Sequence, residues 1–105
     1  MGNYRNRLDI VADILHIVAG GGIKKTQIMY GANLSYRLLM KYLADVRKSS
    51  LVSFQRKERC YVLTPKGKSF LEMYREYSKH SKFVERHIVD VNAKRKVLET
   101  LCSNP

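Results

Sequence analysis

A chain of 105 residues with an apolar fraction of 45% makes one domain with a small core, plus at most one appended element. Its charge is lopsided: 20 Lys and Arg face 9 Asp and Glu, a net of +11, which favours a polyanionic partner, nucleic acid ahead of an anionic membrane surface. No apolar run spans a bilayer, Asp9 and Asp13 interrupt the apolar stretch at residues 10–18, and Cys60 and Cys102 form no metal or redox motif, so the expected location is the cytoplasm, with no membrane, metal or cofactor.

Residues 1–4 are expected to fray. A first helix is predicted over 5–19, with Leu8, Val11, Ala12, Leu15 and Val18 on its buried face and Ile10, Ile14 and Ile17 filling in. Gly20, Gly21 and Gly22 stop it. His16 reads as a core or boundary histidine rather than a catalyst. A second helix runs over 24–30, anchored by Ile28 and Met29 and ended by a tight turn at Gly31 and Ala32. Ser35 then caps a third helix that reaches Lys48. Its core face is predicted to hold Leu38, Tyr42, Leu43 and Val46; Tyr36, Arg37, Met40, Lys41, Arg47 and Lys48 are left on or near the other side.

Two short helices joined by a glycine-containing turn have the form of a helix-turn-helix. In that arrangement the second helix enters the major groove of DNA and the first crosses the sugar-phosphate backbone. Lys24 and Lys25 open the first of the pair, where free backbone N–H groups and ammonium groups can both meet phosphates. Ser49 and Ser50 break the reader helix. Alternating apolar and polar residues then predict strands over 51–56 and 60–64. Arg56, Lys57 and Arg59 sit at the hairpin tip, a basic wing suited to phosphates or the minor groove.

Thr64 and Pro65 suit the start of a last helix, with Gly67 a weak spot in its first turn. Residues 68–102 hold no Gly or Pro, so one continuous helix of about 50 Å is predicted. Phe70, Met73, Tyr77, His80, Val84, His87, Val91, Lys94, Leu98 and Leu101 fall alternately three and four apart, a heptad seam. His80, His87 and Lys94 weaken that seam, while Phe83 and Ile88 widen its apolar stripe. A second copy would bury the stripe, so a homodimer through residues 70–102 is expected. Antiparallel pairing is preferred because it keeps His80 and His87 off their own mates. The alternative is a break near 78–81, with the chain folding back into one compact domain. His80 and His87 alone supply too few donors for a metal. The charge follows the same division: residues 1–69 carry a net +9 and residues 70–105 a net +2, which places the polyanion on the first part.

The order helix, helix, reader helix, hairpin, long helix looks like a winged helix-turn-helix. The block Ile28-Met29-Tyr30-Gly31-Ala32-Asn33-Leu34-Ser35-Tyr36, followed by Tyr61-Val62-Leu63-Thr64-Pro65-Lys66-Gly67, resembles the archaeal winged-helix DNA-binding proteins of the small "10a" chromatin-protein class. The likeness covers residues 8–72; beyond them only the long helical character matches. It implies an antiparallel coiled-coil dimer and binding of double-stranded DNA, in chromatin organisation or transcriptional regulation. Arg37, Leu39 and Met40 are bulkier than the family pattern.

The sequence therefore predicts a mostly helical α+β chain: a winged helix-turn-helix domain over 5–69 and a dimerisation helix over 70–103. The expected function is nucleoid-associated, non-enzymatic binding of double-stranded DNA by a homodimer, with no small-molecule substrate. Tyr36, Arg37, Met40 and Lys41 would face the major groove, with Ser35 at the helix start; Lys24, Lys25 and Lys48 would hold phosphates; Arg56, Lys57 and Arg59 would form the wing contact. Phe70, Met73, Tyr77, His80, Val84, His87, Ile88, Val91, Leu98 and Leu101 would form the dimer interface. The competing expectation is a winged helix that binds a protein partner and reads no DNA.

Overall fold

The computed structural model describes residues 5–103; the predicted fraying of residues 1–4 lies outside them. Six elements follow one another: α1 (Arg7–Val18), α2 (Lys25–Gly31), α3 (Tyr36–Lys48), β1 (Val52–Gln55), β2 (Cys60–Leu63) and α4 (Pro65–Cys102). They fall into two compact units, Met1–Tyr74 and Arg75–Pro105, so that α4 contributes to both. The first is a three-helix cluster with a small sheet; the second is helix alone.

Local chemistry sets each boundary. α1 begins one residue after Asn6, whose side chain accepts from the Asp9 N–H at 2.9 Å while Asp9 accepts from the Asn6 N–H at 3.1 Å. This reciprocal pair satisfies two of the helix's free donors. The glycine stop is confirmed and does more than end α1. Gly21 and Gly22 take φ of 90° and 52°, and the chain they turn brings Ile23 against Tyr61, with N–H to O distances of 3.1 and 2.8 Å in the two directions. The β1–β2 hairpin thus gains a third, one-residue edge.

The ends of α2 and α3 share one device. After α2 the left-handed residue is Asn33 (φ 53°), and the Leu34 N–H reaches the Met29 carbonyl at 3.0 Å while the Asn33 N–H reaches Tyr30 at 3.2 Å. This corrects the expected turn at Gly31 and Ala32: Gly31 is the last helical residue. An added Cβ there would stand 2.8 Å from Ile17 Cδ1, so Gly31 serves the close approach of α1 and α2. After α3, Ser50 (φ 65°) repeats the pattern, with Leu51 bonded to Val46 at 2.9 Å and Ser50 to Arg47 at 3.1 Å. Both are Schellman caps, in which asparagine or serine stands where glycine is preferred.

The core draws Val11, Ile14, Leu15 and Val18 from α1, Ile28 from α2, and Leu39, Tyr42, Leu43 and Val46 from α3. Ala32, Leu34, Val52 and Tyr61 close it, and no polar side chain is buried among the described residues. Three expectations are corrected. Leu39, not Leu38, is the first core residue of α3; Leu38 is 42% exposed. Both leucines sit within reach of Tyr42 in sequence, but only Leu39 completes the i, i+3, i+4, i+7 face with Tyr42, Leu43 and Val46. In α1, Ile14 is fully buried and Leu8 is exposed, because the helix starts at Arg7 and its first turn borders an open cleft lined by Arg7, Asp45 and Phe70. His16 is exposed, not core or boundary.

β1 and β2 pair antiparallel, Val52 with Leu63 and Gln55 with Cys60; β1 is one residue shorter at each end than predicted, and β2 one residue shorter at its outer end. Thr64 starts α4 as expected: its Oγ1 accepts from the Gly67 N–H at 3.0 Å and donates toward the Ser50 carbonyl at 2.6 Å. Gly67 is no weak spot. A Cβ there would lie 2.2 Å from the Leu51 carbonyl oxygen, so only glycine lets the helix start lie against the end of the reader helix's exit loop. α4 passes through residues 78–81 without interruption, which removes the break-and-return alternative.

Candidate nucleic-acid interface

The reader helix, α3, is set by its cap. Ser35 Oγ accepts from the Leu38 N–H at 3.3 Å, so the serine predicted at the interface spends its hydroxyl on the helix start. With Leu39, Tyr42, Leu43 and Val46 turned inward, the outward face carries Tyr36, Arg37, Met40, Lys41, Ala44 and Lys48, all exposed. It holds two cations in its middle, a tyrosine, a methionine and an alanine, and neither an amide nor a carboxylate; Asp45 lines the cleft beside Arg7 instead. Leu38 adds to this face a half-exposed apolar side chain that the sequence reading had placed inside.

α2 meets α3 at their starts. Lys25 Nζ lies 5.2 Å from the centre of the Tyr36 ring, a cation–π distance that holds the two N-terminal turns together. Lys24 is the residue before the first turn, where Gln27 Oε1 accepts from its backbone N–H at 3.0 Å; its ammonium is left exposed. At the other end of α3, Arg47 stands 5.1 Å from the Phe54 ring of β1. It couples the reader helix to the wing instead of standing on the reader face. The wing tip presents Arg56, Lys57 and Arg59, all exposed, with Arg59 at a positive φ of 51°.

The electrostatic feature of this surface is that it is not neutralised. Among the described residues the one ion pair is Arg5 with Asp13, at 2.8 Å. Lys24, Lys25, Arg37, Lys41, Lys48, Arg56, Lys57 and Arg59 therefore carry their charges without a carboxylate within salt-bridge distance. Unpaired cations gathered on two helix starts and a hairpin tip can bind a row of anions by releasing the anions' own counterions.

Sequence reasoning missed three contributors. Arg5 reaches back from the chain start to the end of α2: Nη1 donates to the Ala32 carbonyl at 2.6 Å and Nη2 to the Asn33 carbonyl at 3.1 Å. These carbonyls lie 27 and 28 residues away, so no local pattern could reveal them. Tyr74 Oη donates to Asp9 Oδ1, which fixes the first turns of α4 against α1. Tyr30 is 79% exposed at the end of α2; its position opposite Ile28 on the helix wheel was the available signal.

The side chains predicted for self-association divide. Phe70 is half-buried and packs against the core, stacked on Tyr74 with centroids 6.3 Å apart. Met73, Tyr77, His80, Val84, His87, Ile88, Val91, Leu98 and Leu101 are exposed, as are Phe83 and Lys94. Among the described residues no helix is long and apolar enough to cross a membrane, and no group of three or more His, Cys, Asp or Glu is placed to hold a metal ion.

A family model for winged helix-turn-helix proteins matches residues 4–82. An uncharacterised protein of Methanocaldococcus jannaschii is 33% identical over 72 residues, which cover 69% of this chain and 33% of that protein. A second uncharacterised protein of the same organism is 36% identical over 64 residues, 61% of this chain and 64% of its own length. The chain thus spans about a third and somewhat under two thirds of these relatives. Among solved structures, Sso10a-2, a DNA-binding protein from Sulfolobus solfataricus, is similar with a TM-score of 0.70 and 26% identity, over 95% of this chain and all of that one. The resemblance to the archaeal 10a class is borne out by this match.

Proposed function

This chain belongs to the winged helix-turn-helix family, and from that premise we propose that it is a non-catalytic protein that binds double-stranded DNA as a homodimer on the archaeal chromosome. The observation that carries the reading is the unneutralised row of cations on α2, α3 and the wing. Residues 5–69 form the DNA-binding part and residues 70–103 the pairing part. Arg37 and Lys41 face base edges in the major groove, flanked by Tyr36 and Met40. Lys24, Lys25 and Lys48 hold phosphates, and Arg56, Lys57 and Arg59 lie along the backbone or minor groove. The DNA-binding property of Sso10a-2 supports the same partner for this chain.

Pairing through α4 rests on its exposed seam. Val84, Ile88, Val91 and Leu98 are half or more exposed, and an isolated helix of this kind is marginal in water without a covering surface. Antiparallel pairing keeps His80, His87 and Lys94 from facing their own copies. The test is quantitative binding to random duplex across a salt series. With about eight of these cations in a dimer neutralising phosphates, log K against log salt falls with a slope of about −7. A slope near zero overturns the reading, and a homogeneous monomer by sedimentation overturns the pairing. The half-exposed Leu38 beside Met40 favours a second reading, a docking face for a protein partner. Under it, Arg37→Ala with Lys41→Ala leaves DNA affinity unchanged.

A further inference from the structure

The wing is a two-stranded sheet, and a ribbon of that kind keeps its shape in water only when it is packed against something. Its aromatic pair provides the packing. Phe54 and Tyr61 are cross-strand partners with ring centroids 5.0 Å apart. The Tyr61 backbone is bonded in both directions to Ile23, the residue before Lys24. The Arg47 guanidinium of α3 stands 5.1 Å from the centre of the Phe54 ring. Phe54 is the last partly buried residue of β1; Gln55 and the tip with Arg56, Lys57 and Arg59 are exposed. On that strand, the contact with Arg47 is therefore the last hold before the charges.

Arg47 stands apart from the other cations of α3. At 3.6 residues per turn Arg37, Lys41 and Lys48 share a sector of about 40°, and Arg47 lies about 100° round the helix from its middle. It falls instead on the edge that carries Tyr36, three turns earlier and within about 20° of it. Both ends of that edge are tied by a cation and a ring from different elements: Lys25 of α2 over Tyr36 at 5.2 Å, and Arg47 over Phe54 of β1. The reader helix is thus linked at its first turn to the start of α2 and at its last turn to the wing. Among the described residues no carboxylate lies within salt-bridge distance of Arg47, so no ion pair draws the guanidinium away from the ring.

We propose that Arg47 is a positioning residue for duplex binding. Stacked on Phe54, it holds the wing at a fixed offset from α3, so that Arg56, Lys57 and Arg59 meet phosphates in the same event as Arg37 and Lys41. It contacts no phosphate itself. Arginine suits this task because its planar guanidinium stacks on a ring face, which the compact ammonium of lysine does not match. A tip held in place beforehand also spares the ordering that a loose hairpin would need on binding. The proposal rests on the reading of residues 56–59 as a phosphate contact and deepens it by naming the side chain that sets that contact.

The test measures log K against log salt for the full chain on a labelled random duplex, with circular dichroism and the thermal midpoint as checks on folding. Arg56→Gln/Lys57→Gln/Arg59→Gln defines the share of the wing, a loss in slope magnitude of up to about 2.7 per protomer at about 0.9 per phosphate contact. Phe54→Leu removes no charge and Arg47→Lys keeps one. Each is nevertheless expected to lower the slope by at least about 0.9 per protomer, a whole phosphate contact. Phe54→Tyr keeps the ring and the wild-type slope. Added to the wing triple, Phe54→Leu and Arg47→Lys change nothing further, because the contacts they set are already gone. Arg47 is exposed, so Arg47→Lys decides the matter if Phe54→Leu fails to fold. If the triple lowers the slope and the folded single variants do not, the proposal is overturned while the wing reading stands. A loss confined to Arg47→Gln, of about 0.9 per protomer, makes Arg47 a phosphate ligand and overturns it too. If the triple keeps the wild-type slope, the wing reading falls and the positioning role falls with it.

Discussion

The two units of this chain treat apolar side chains in opposite ways. In Met1–Tyr74 they converge from three helices and a hairpin on a core with no buried polar group among the described residues. In Arg75–Pro105 no described residue is buried at all, although Phe83, Val84, Ile88, Val89, Val91, Val97, Leu98 and Leu101 are apolar. The difference lies in topology, not in composition. Crossing helices provide each other with a surface; one helix has nothing to face. The first unit therefore covers its own apolar side chains, whereas the second leaves its stripe exposed among the described residues.

Substitutions can separate the two. The largest effect is expected for Leu39→Ala, which opens a cavity at a fully buried site and costs about 3–5 kcal/mol. The midpoint of thermal unfolding falls by about 12 °C or more for a domain of this size, and by the same amount at every protein concentration. Val91→Asp, in the second unit, sharpens the contrast. It leaves the core unit's unfolding unchanged and weakens self-association by about 100-fold, since each copy brings an unpaired charge to the seam; sedimentation equilibrium reads this directly. If Val91→Asp lowered the unfolding midpoint as Leu39→Ala does, at all concentrations, the division of labour would be wrong.

Smaller effects probe how the reader helix is held. Arg5→Ala removes the donor to Ala32 and Asn33 and the ion pair to Asp13. About 1–2 kcal/mol is expected, at the low end for charged hydrogen bonds because the group is partly exposed, visible as faster amide exchange at Asn33 and Leu34. Ser50→Gly works in the other direction. Its φ of 65° suits glycine, so a gain of about 0.5–1 kcal/mol is expected in denaturant unfolding. A loss there would show that the serine hydroxyl matters more than the backbone.

Most of the local structure could be read from the residues. Ser35 and Thr64 announced their helices because a cap uses a hydroxyl and an N–H only three positions on. The basic hairpin was legible because alternation and a charged turn are neighbours in sequence. What escaped depends on contacts between distant segments. Leu39 is the exception, since its spacing with Tyr42, Leu43 and Val46 was legible and Leu38 was simply the wrong choice. Gly67 seemed a defect until the Leu51 carbonyl was seen 2.2 Å from where a Cβ would stand. Nothing in the local pattern marked Ile23, which pairs with Tyr61 from 38 residues away. Of the candidate site, the exposed cations were foreseeable from composition. The stacking of Lys25 on Tyr36 and of Arg47 on Phe54 was not, since each joins residues from different elements.

The make-up of the outward face of α3 limits what a duplex bound there could tell it. Adenine is recognised through paired donor and acceptor atoms by asparagine or glutamine, and the cytosine amino group by a carboxylate; that face has none of these. Arginine and lysine fit the two acceptors of guanine, and apolar side chains fit the methyl group of thymine. On the proposed reading, Arg37 and Lys41 would supply the first kind of contact, Met40 and Ala44 the second. On the proposed reading the helix would work with half an alphabet, and any preferred site would be spelled in guanines and thymine methyls on the strands it touches.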